Sequence, residues 1–134
     1  MKTITQEDKE LLLKDLCARL SYGVKCEIDD IDEPLELKSI KFKGDYFIFG
    51  NGVYERYITE IKPYLRPMSS MTEEERNEYF GFRSQELQRV AFAEVGREEA
   101  ISEVMDWLLS HHFDIRGLIE KGLALEAPKG MYGI

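Results

Sequence analysis

The chain has little of what covalent and metal-based devices are made from. Only two cysteines occur in its 134 residues, Cys17 and Cys26, and neither a C-x-x-C pair nor a Cys/His spacing of the zinc-site kind is present. Both read as reduced thiols inside the fold, Cys17 among the leucines of a helix and Cys26 alternating with Val24 and Ile28. No apolar run approaches the ~20 residues that span a bilayer. The start, MKTITQEDKE, is too polar for a signal peptide. These absences lead us to expect a cytoplasmic protein with no membrane partner. Positive charge is also scarce: 18 basic against 26 acidic residues give a net charge of -8, a field that repels phosphate backbones. G-x-S-x-G, H-E-x-x-H and a glycine-rich phosphate loop are missing. The acidic run Asp29, Asp30, Asp32 and Glu33 lacks the Gly and Glu of an EF-hand loop and reads as a solvated turn. No cofactor and no metal are expected.

What is present suffices for one core. Hydrophobic residues make up 43%, with seven Phe, seven Tyr and one Trp, so the chain is read as a single α+β domain over residues 1–134. Its charge is uneven. Residues 1–71 carry 11 basic and 13 acidic groups, and residues 72–134 carry 7 and 13, so the acid is concentrated in the second part.

Thr5 followed by Q-E-D supplies a cap and acidic first-turn residues for an N-terminal helix. Leu12, Leu13, Leu16, Cys17 and Leu20 form its stripe, with Lys9, Lys14, Asp15 and Arg19 mostly opposite, and Gly23 stops it. From Val24 the period becomes two. Strands are expected at Val24–Ile28, from Leu35 through Phe42 with a bulge near Ser39, at Tyr46–Phe49, and from Glu55 to Ile61, closed by Pro63. Four antiparallel strands in a curved sheet, able to roll toward a small open barrel, are the expectation.

Residues 62–72 read as a connector. Thr72 and Glu75 then form a T-x-x-E capping box that starts a helix at Glu73. Its apolar side is Tyr79, Phe80, Leu87, Val90 and Ala91, with a turn at Gly96. Ala100, Ile101, Val104, Met105, Leu108 and Trp107 predict a further helix ending near His111 and His112. Asp114 is placed to cap a short helix reaching Gly122, before an extended segment with Pro128, Gly130 and Gly133. The C-terminal part is thus expected to hold two to three helices.

Two constellations could carry function. His111, His112, Asp114 and Arg116 combine imidazoles that titrate near neutrality with an acid able to orient them and a cation for an anionic group. A hydrolase centred on His112 and Asp114 would use them. Tyr46, Phe47, Tyr54 and Tyr57 with Arg56 could form a stacking platform for single-stranded nucleic acid, although the overall charge opposes it. Against these stand ordinary roles: helix-end histidines, a capping aspartate, and aromatics that favour strands.

At IKPYLRPMSSMTEEE, residues 61–75, and DWLLSHHFDIRGLIEKGLALEAPKGMY, residues 106–132, the chain resembles short proteins of Bacteroidales-type gut bacteria and their prophages. The likeness extends from LLLKDLCARLSYGVK, residues 11–25, almost to the end. It implies a bacterial, mobile-element setting and carries no activity, ligand or site residue. Taken with the missing catalytic set, the reading is a small non-enzymatic accessory or regulatory module whose partner is another protein.

Overall fold

The computed structural model describes residues 4–41, 46–81 and 97–133, with the side chains of residues 97–101 left aside. Residues 43–45, between the second and third expected strands, and the positions Phe42, Leu87, Val90, Ala91 and Gly96 lie outside the described residues, as do the side chains of Ala100 and Ile101.

Helix α1 runs Gln6–Arg19, and the Thr5 hydroxyl accepts from Asp8 N at 3.1 Å as its cap. A 3₁₀ turn, Leu20–Tyr22, ends at Gly23 with φ 72°. A Cβ there would stand 3.0 Å from the Glu36 carboxylate, the mobile end of a partly exposed side chain, so it is the left-handed backbone that calls for glycine. The buried face of α1 is Leu12, Asp15, Leu16 and Arg19, and Cys17 is exposed. This corrects the predicted stripe. Asp15 and Arg19 sit inside because α1 is covered on two sides, by the sheet and by the chain around residues 113–116.

The sheet is open and mixed, in the order β4-β3-β2-β1-β5-β6. Its strands are β1 Lys25–Ile28, β2 Leu35–Lys41, β3 Tyr46–Phe49, β4 Tyr54–Arg56, β5 Ile61–Leu65 and β6 Leu125–Glu126. All neighbours are antiparallel except β5 and β6, which run parallel. Six strands therefore replace the expected four. The segment predicted as one strand from Glu55 to Ile61 is broken by a 3₁₀ turn at Ile58–Glu60, and a further strand continues through Pro63. Within β2 the register shifts between Leu37 and Ser39, so that Leu37 opposes Phe49 and Ile40 opposes Phe47 on one face, with Lys38 as the extra residue.

Chain length forces the sheet to curl. Four strand spacings of ~4.8 Å would set β4 about 19 Å from β5 in a flat sheet. Five peptide steps from Arg56 to Ile61 reach at most ~18 Å even when fully extended, and part of that stretch is the compact turn Ile58–Glu60. Arg56 holds the curl: its guanidinium donates to Glu55 O at 2.9 Å and to Asp29 O at 3.3 and 3.4 Å. Helix α1 fills the concave side, where Leu12 and Leu16 pack with Val24, Cys26, Ile28, Leu37, Phe47, Phe49, Ile61 and Leu65.

Residues 73–81 form helix α2, begun by the capping box as expected: Glu75 N donates to Thr72 Oγ1 at 3.1 Å and Thr72 N to Glu75 Oε1 at 2.9 Å. Helix α3 spans Arg97–Ser110. Met71, Leu108 and Phe113 form a second cluster with Tyr79, Val104, Met105, Trp107 and Ile115 around it. The short helix expected after Asp114 is absent. Residues 115–122 are turns, broken at Gly117 with φ 70°, and the Asp114 carboxylate accepts from Leu118 N and Ile119 N instead. No described helix is long and apolar enough to cross a membrane.

Candidate functional site

The four residues considered for hydrolysis diverge. The His111 ring stacks on Trp107 at 4.2 Å, and its Nδ1 lies 2.8 Å from Trp107 O. The His112 ring turns the other way and stacks on Tyr132 at 3.6 Å. Both carboxylate oxygens of Asp114 cap the turn at Leu118 and Ile119, while Arg116 donates to Asp15 Oδ1 at 2.8 Å. Each group is held by a partner that accounts for its position, and the geometry brings no acid–base pair of the four onto a shared space. Among the described residues no group of three or more His, Cys, Asp or Glu is arranged to hold a metal ion.

The structure instead gathers two buried ionic pairs around the turn 111–116. Asp15 accepts from Arg19 Nε at 2.7 Å and from Arg116, and Arg19 Nη2 reaches Phe113 O at 2.7 Å. On the other side, Arg66 binds Glu75 through both terminal nitrogens at 2.7 and 2.6 Å, and its Nη1 also donates to His111 O. The guanidinium carbon lies 4.3 Å from the centroid of the Phe113 ring. Backbone bonds Arg66 N to His112 O and Asp114 N to Arg66 O, each 2.8 Å, tie the two segments together. Sequence reasoning missed Asp15, Arg19, Arg66 and Tyr132. For the first two the signal was present, since Leu12, Asp15, Leu16 and Arg19 stand at helical spacing as an alternative stripe.

Tyr132 is the pin of the C-terminal segment. Pro63 opposes Cys26 and has no N–H, and at the next position along β1 and β5 the Tyr132 hydroxyl stands between the strands. It accepts from Lys25 N at 2.9 Å and donates to Tyr64 O at 2.7 Å. Burial raises its phenol well above the ordinary value, so it stays protonated as this donor. Tyr132→Phe is expected to lower the free energy of unfolding by about 1–2 kcal/mol, because both backbone groups lose a partner. Urea denaturation checks this, and a change under ~0.3 kcal/mol would show the hydroxyl to be dispensable.

Between the segment 66–72 and the segment 126–132 opens a cleft of about 340 Å³. Its walls are Arg66, Pro67, Ser70 and Thr72 on one side, and Glu126–Gly130 with Tyr132 on the other. The volume lies within the range of small-ligand sites, ~300–1,000 Å³. Nearby titrating groups are strongly shifted. Burial first, then the charges of Arg19, Arg66, His111 and Lys25, lower His112 to about 4. The hydrogen bond from Arg66 lowers Glu75 to about 2, with Thr72 helping and burial opposing.

Both shifts make the native state sensitive to acid. Unfolded His112 takes its proton near 6.5 and the folded residue near 4, so its contribution is full above pH ~6.5 and is lost as pH falls toward 4. Glu75 contributes fully above its ordinary value of 4.5, and that contribution is lost as pH falls toward 2. The urea midpoint should therefore decline steadily from pH 6.5 downward. In His112→Phe the decline between pH 6.5 and 4.5 should flatten; an unchanged slope there would assign it to other groups.

The five platform residues split between the two faces of the sheet. Phe47 opposes Arg56 and Phe49 opposes Tyr54, which puts Phe47, Tyr54 and Arg56 on the concave face. Phe47 is fully buried, and Arg56 is occupied by backbone carbonyls and lies 5.7 Å from the Tyr54 ring centroid. Tyr46 and Tyr57 lie on the opposite face with centroids 5.4 Å apart, and Tyr57 is 58% exposed. Phe47 is thus corrected from a surface candidate to a core residue, because the alternation along β3 carries it inward with Phe49. Burial also pushes the Cys26 thiol up, leaving it a protonated core residue.

No family model, no curated protein and no solved structure matches the chain. The fold class is α+β with an N-terminal helix on an open mixed sheet.

Proposed function

We propose that the chain is a non-enzymatic accessory module, of bacterial or prophage setting, that holds a segment of another protein in the cleft between residues 66–72 and 126–132. The observation that carries this reading is the cleft itself, a concavity near 340 Å³ whose walls bring no nucleophile and general base together. Its charges are balanced: Arg66 is neutralised by Glu75, and the walls add one acid, Glu126, and one base, Lys129. Pro67, Ala127, Pro128 and the Tyr132 ring supply the apolar surface. Such a lining suits an uncharged extended peptide better than a phosphate or a polyanion. The nucleic-acid and hydrolase alternatives have less support: the platform residues are split between two faces, and of the other four His111, Asp114 and Arg116 are bonded elsewhere while the His112 ring is stacked on Tyr132, away from Asp114's bonds.

Selection from a displayed peptide library against the full chain, followed by mapping of the binders through amide shifts, tests the reading. Shifts should centre on Ser70, Thr72, Ala127, Lys129 and Gly130. Ala127→Trp, which fills the cleft, should weaken binding at least tenfold. Shifts centred on residues 46–57, or equal binding by Ala127→Trp, would reject it.

A further inference from the structure

The cleft opens where the parallel pair β5–β6 stops, and a proline stops it. Leu65 opposes Glu126, and Ala127 N donates to Leu65 O at 2.8 Å. Bonds in a parallel ladder are evenly spaced and run alternately in the two directions, so the next would go from the N–H of residue 67 to Ala127 O. Residue 67 is proline and has no N–H. The bond after that would go from Lys129 N to Pro67 O. That oxygen already accepts from Ser70 N at 2.8 Å and from Ser70 Oγ at 2.7 Å, because the chain turns off into the 3₁₀ segment Met68–Ser70.

The other side of the ladder keeps its form past this point. Ala127 precedes Pro128, which favours extended backbone at Ala127, and the Pro128 ring fixes its own φ. Strand alternation then turns Ala127 O and Lys129 N toward the side on which Ala127 N meets β5. Among the described residues neither group has a partner, and both residues line the cleft. One step along, they repeat the C=O of Leu125 and the N–H of Ala127 that the register presents to Leu65. A turn holds the pair in place. Met131 N donates to Pro128 O at 3.1 Å, Gly130 has φ 87°, and Lys129 is not among the residues with positive φ, which together make a type II turn.

We propose that the cleft takes its guest as an added strand: one N–H of an extended peptide donates to Ala127 O and one of its carbonyls accepts from Lys129 N, completing the ladder that Pro67 interrupts. This rests on the reading of the cleft as a peptide site and defines the class of peptide. Recognition is of the main chain, so the side chain at the bonded position is interchangeable and proline is excluded there.

The probe is the tightest peptide from the displayed library, synthesised with both ends capped. Methylating its backbone nitrogens one at a time should weaken binding about tenfold at a single position and less than about threefold at the others. Alanine at the sensitive position should cost less than about threefold, since the N–H remains. In the protein, Lys129→Pro removes the donor at a turn position that proline favours, so binding should weaken about tenfold with the thermal midpoint unchanged. Lys129→Ala keeps the N–H and should bind within about threefold of wild type. A peptide whose shifts map to the cleft but that tolerates methylation everywhere, loses equally at every position, or binds Lys129→Pro as well as wild type overturns the added strand and leaves the cleft reading standing. If no peptide maps to the cleft, both fall. Should Lys129→Pro not fold, hydrogen exchange of the wild-type Lys129 amide decides: slowing of about tenfold on saturation with the peptide supports the bond, and no slowing overturns it.

Discussion

Asp15→Ala is expected to lower the free energy of unfolding by about 3–5 kcal/mol, the largest effect of any single charge removal among the described residues. The carboxylate is fully buried and receives Arg19 at 2.7 Å and Arg116 at 2.8 Å. Arg19 is also fully buried and is anchored to Phe113 O, so it cannot swing to water when its counter-ion is removed. What the mutation measures is therefore an uncompensated internal cation, not the net worth of an ion pair. Removing all three charges separates the two quantities. Asp15→Leu with Arg19→Met and Arg116→Leu replaces the network by apolar groups of similar size, and its stability should return to within ~1–2 kcal/mol of wild type or exceed it. Urea denaturation of both variants is the measurement. A loss under ~1 kcal/mol in Asp15→Ala would mean that the interior around Arg19 admits water freely.

The network also explains why part of the fold was legible in the sequence and part was not. Local signals were sufficient wherever a residue acts on its own neighbourhood. Thr5 and the Thr72–Glu75 pair begin helices where their side chains meet backbone amides three residues away. The phase change between Leu37 and Ile40 required a bulge, and the register slips there. Local signals failed where a partner lies far along the chain. Pro63 reads as a strand terminator, yet β5 runs through it, with a tyrosine 69 positions later standing between the strands just beyond. Leu125–Glu126 is too short to announce a strand and exists only because β5 offers an edge. Asp15 and Arg19 look solvent-facing until the chain at residues 113–116 closes over them. The candidate site shares this origin: the cleft is built from segments some sixty residues apart in sequence, which no spacing rule connects.

Phe47→Ala is the second large effect, about 3–5 kcal/mol, and it separates the two readings of the front sheet. As part of an exposed stacking platform Phe47 would be nearly neutral to stability and costly to binding. In the fold it is fully buried, opposes Ile40 and Arg56 across the ladder, and packs in the cluster of α1 and the sheet with Phe49 and Leu37. Truncation loses the transfer free energy of the ring and opens a cavity that the curled sheet, fixed by Arg56 on Asp29 O and Glu55 O, can only partly close. Tyr57→Ala is the matched control, since the residue is 58% exposed and its ring lies 5.4 Å from that of Tyr46; its cost should stay within ~0.5–1 kcal/mol. Urea midpoints at equal m-value compare the two. If Phe47→Ala and Tyr57→Ala shift the midpoint equally, the inward phase of β3 is wrong. The concave face would then have to be rebuilt around Tyr46 and Ile48.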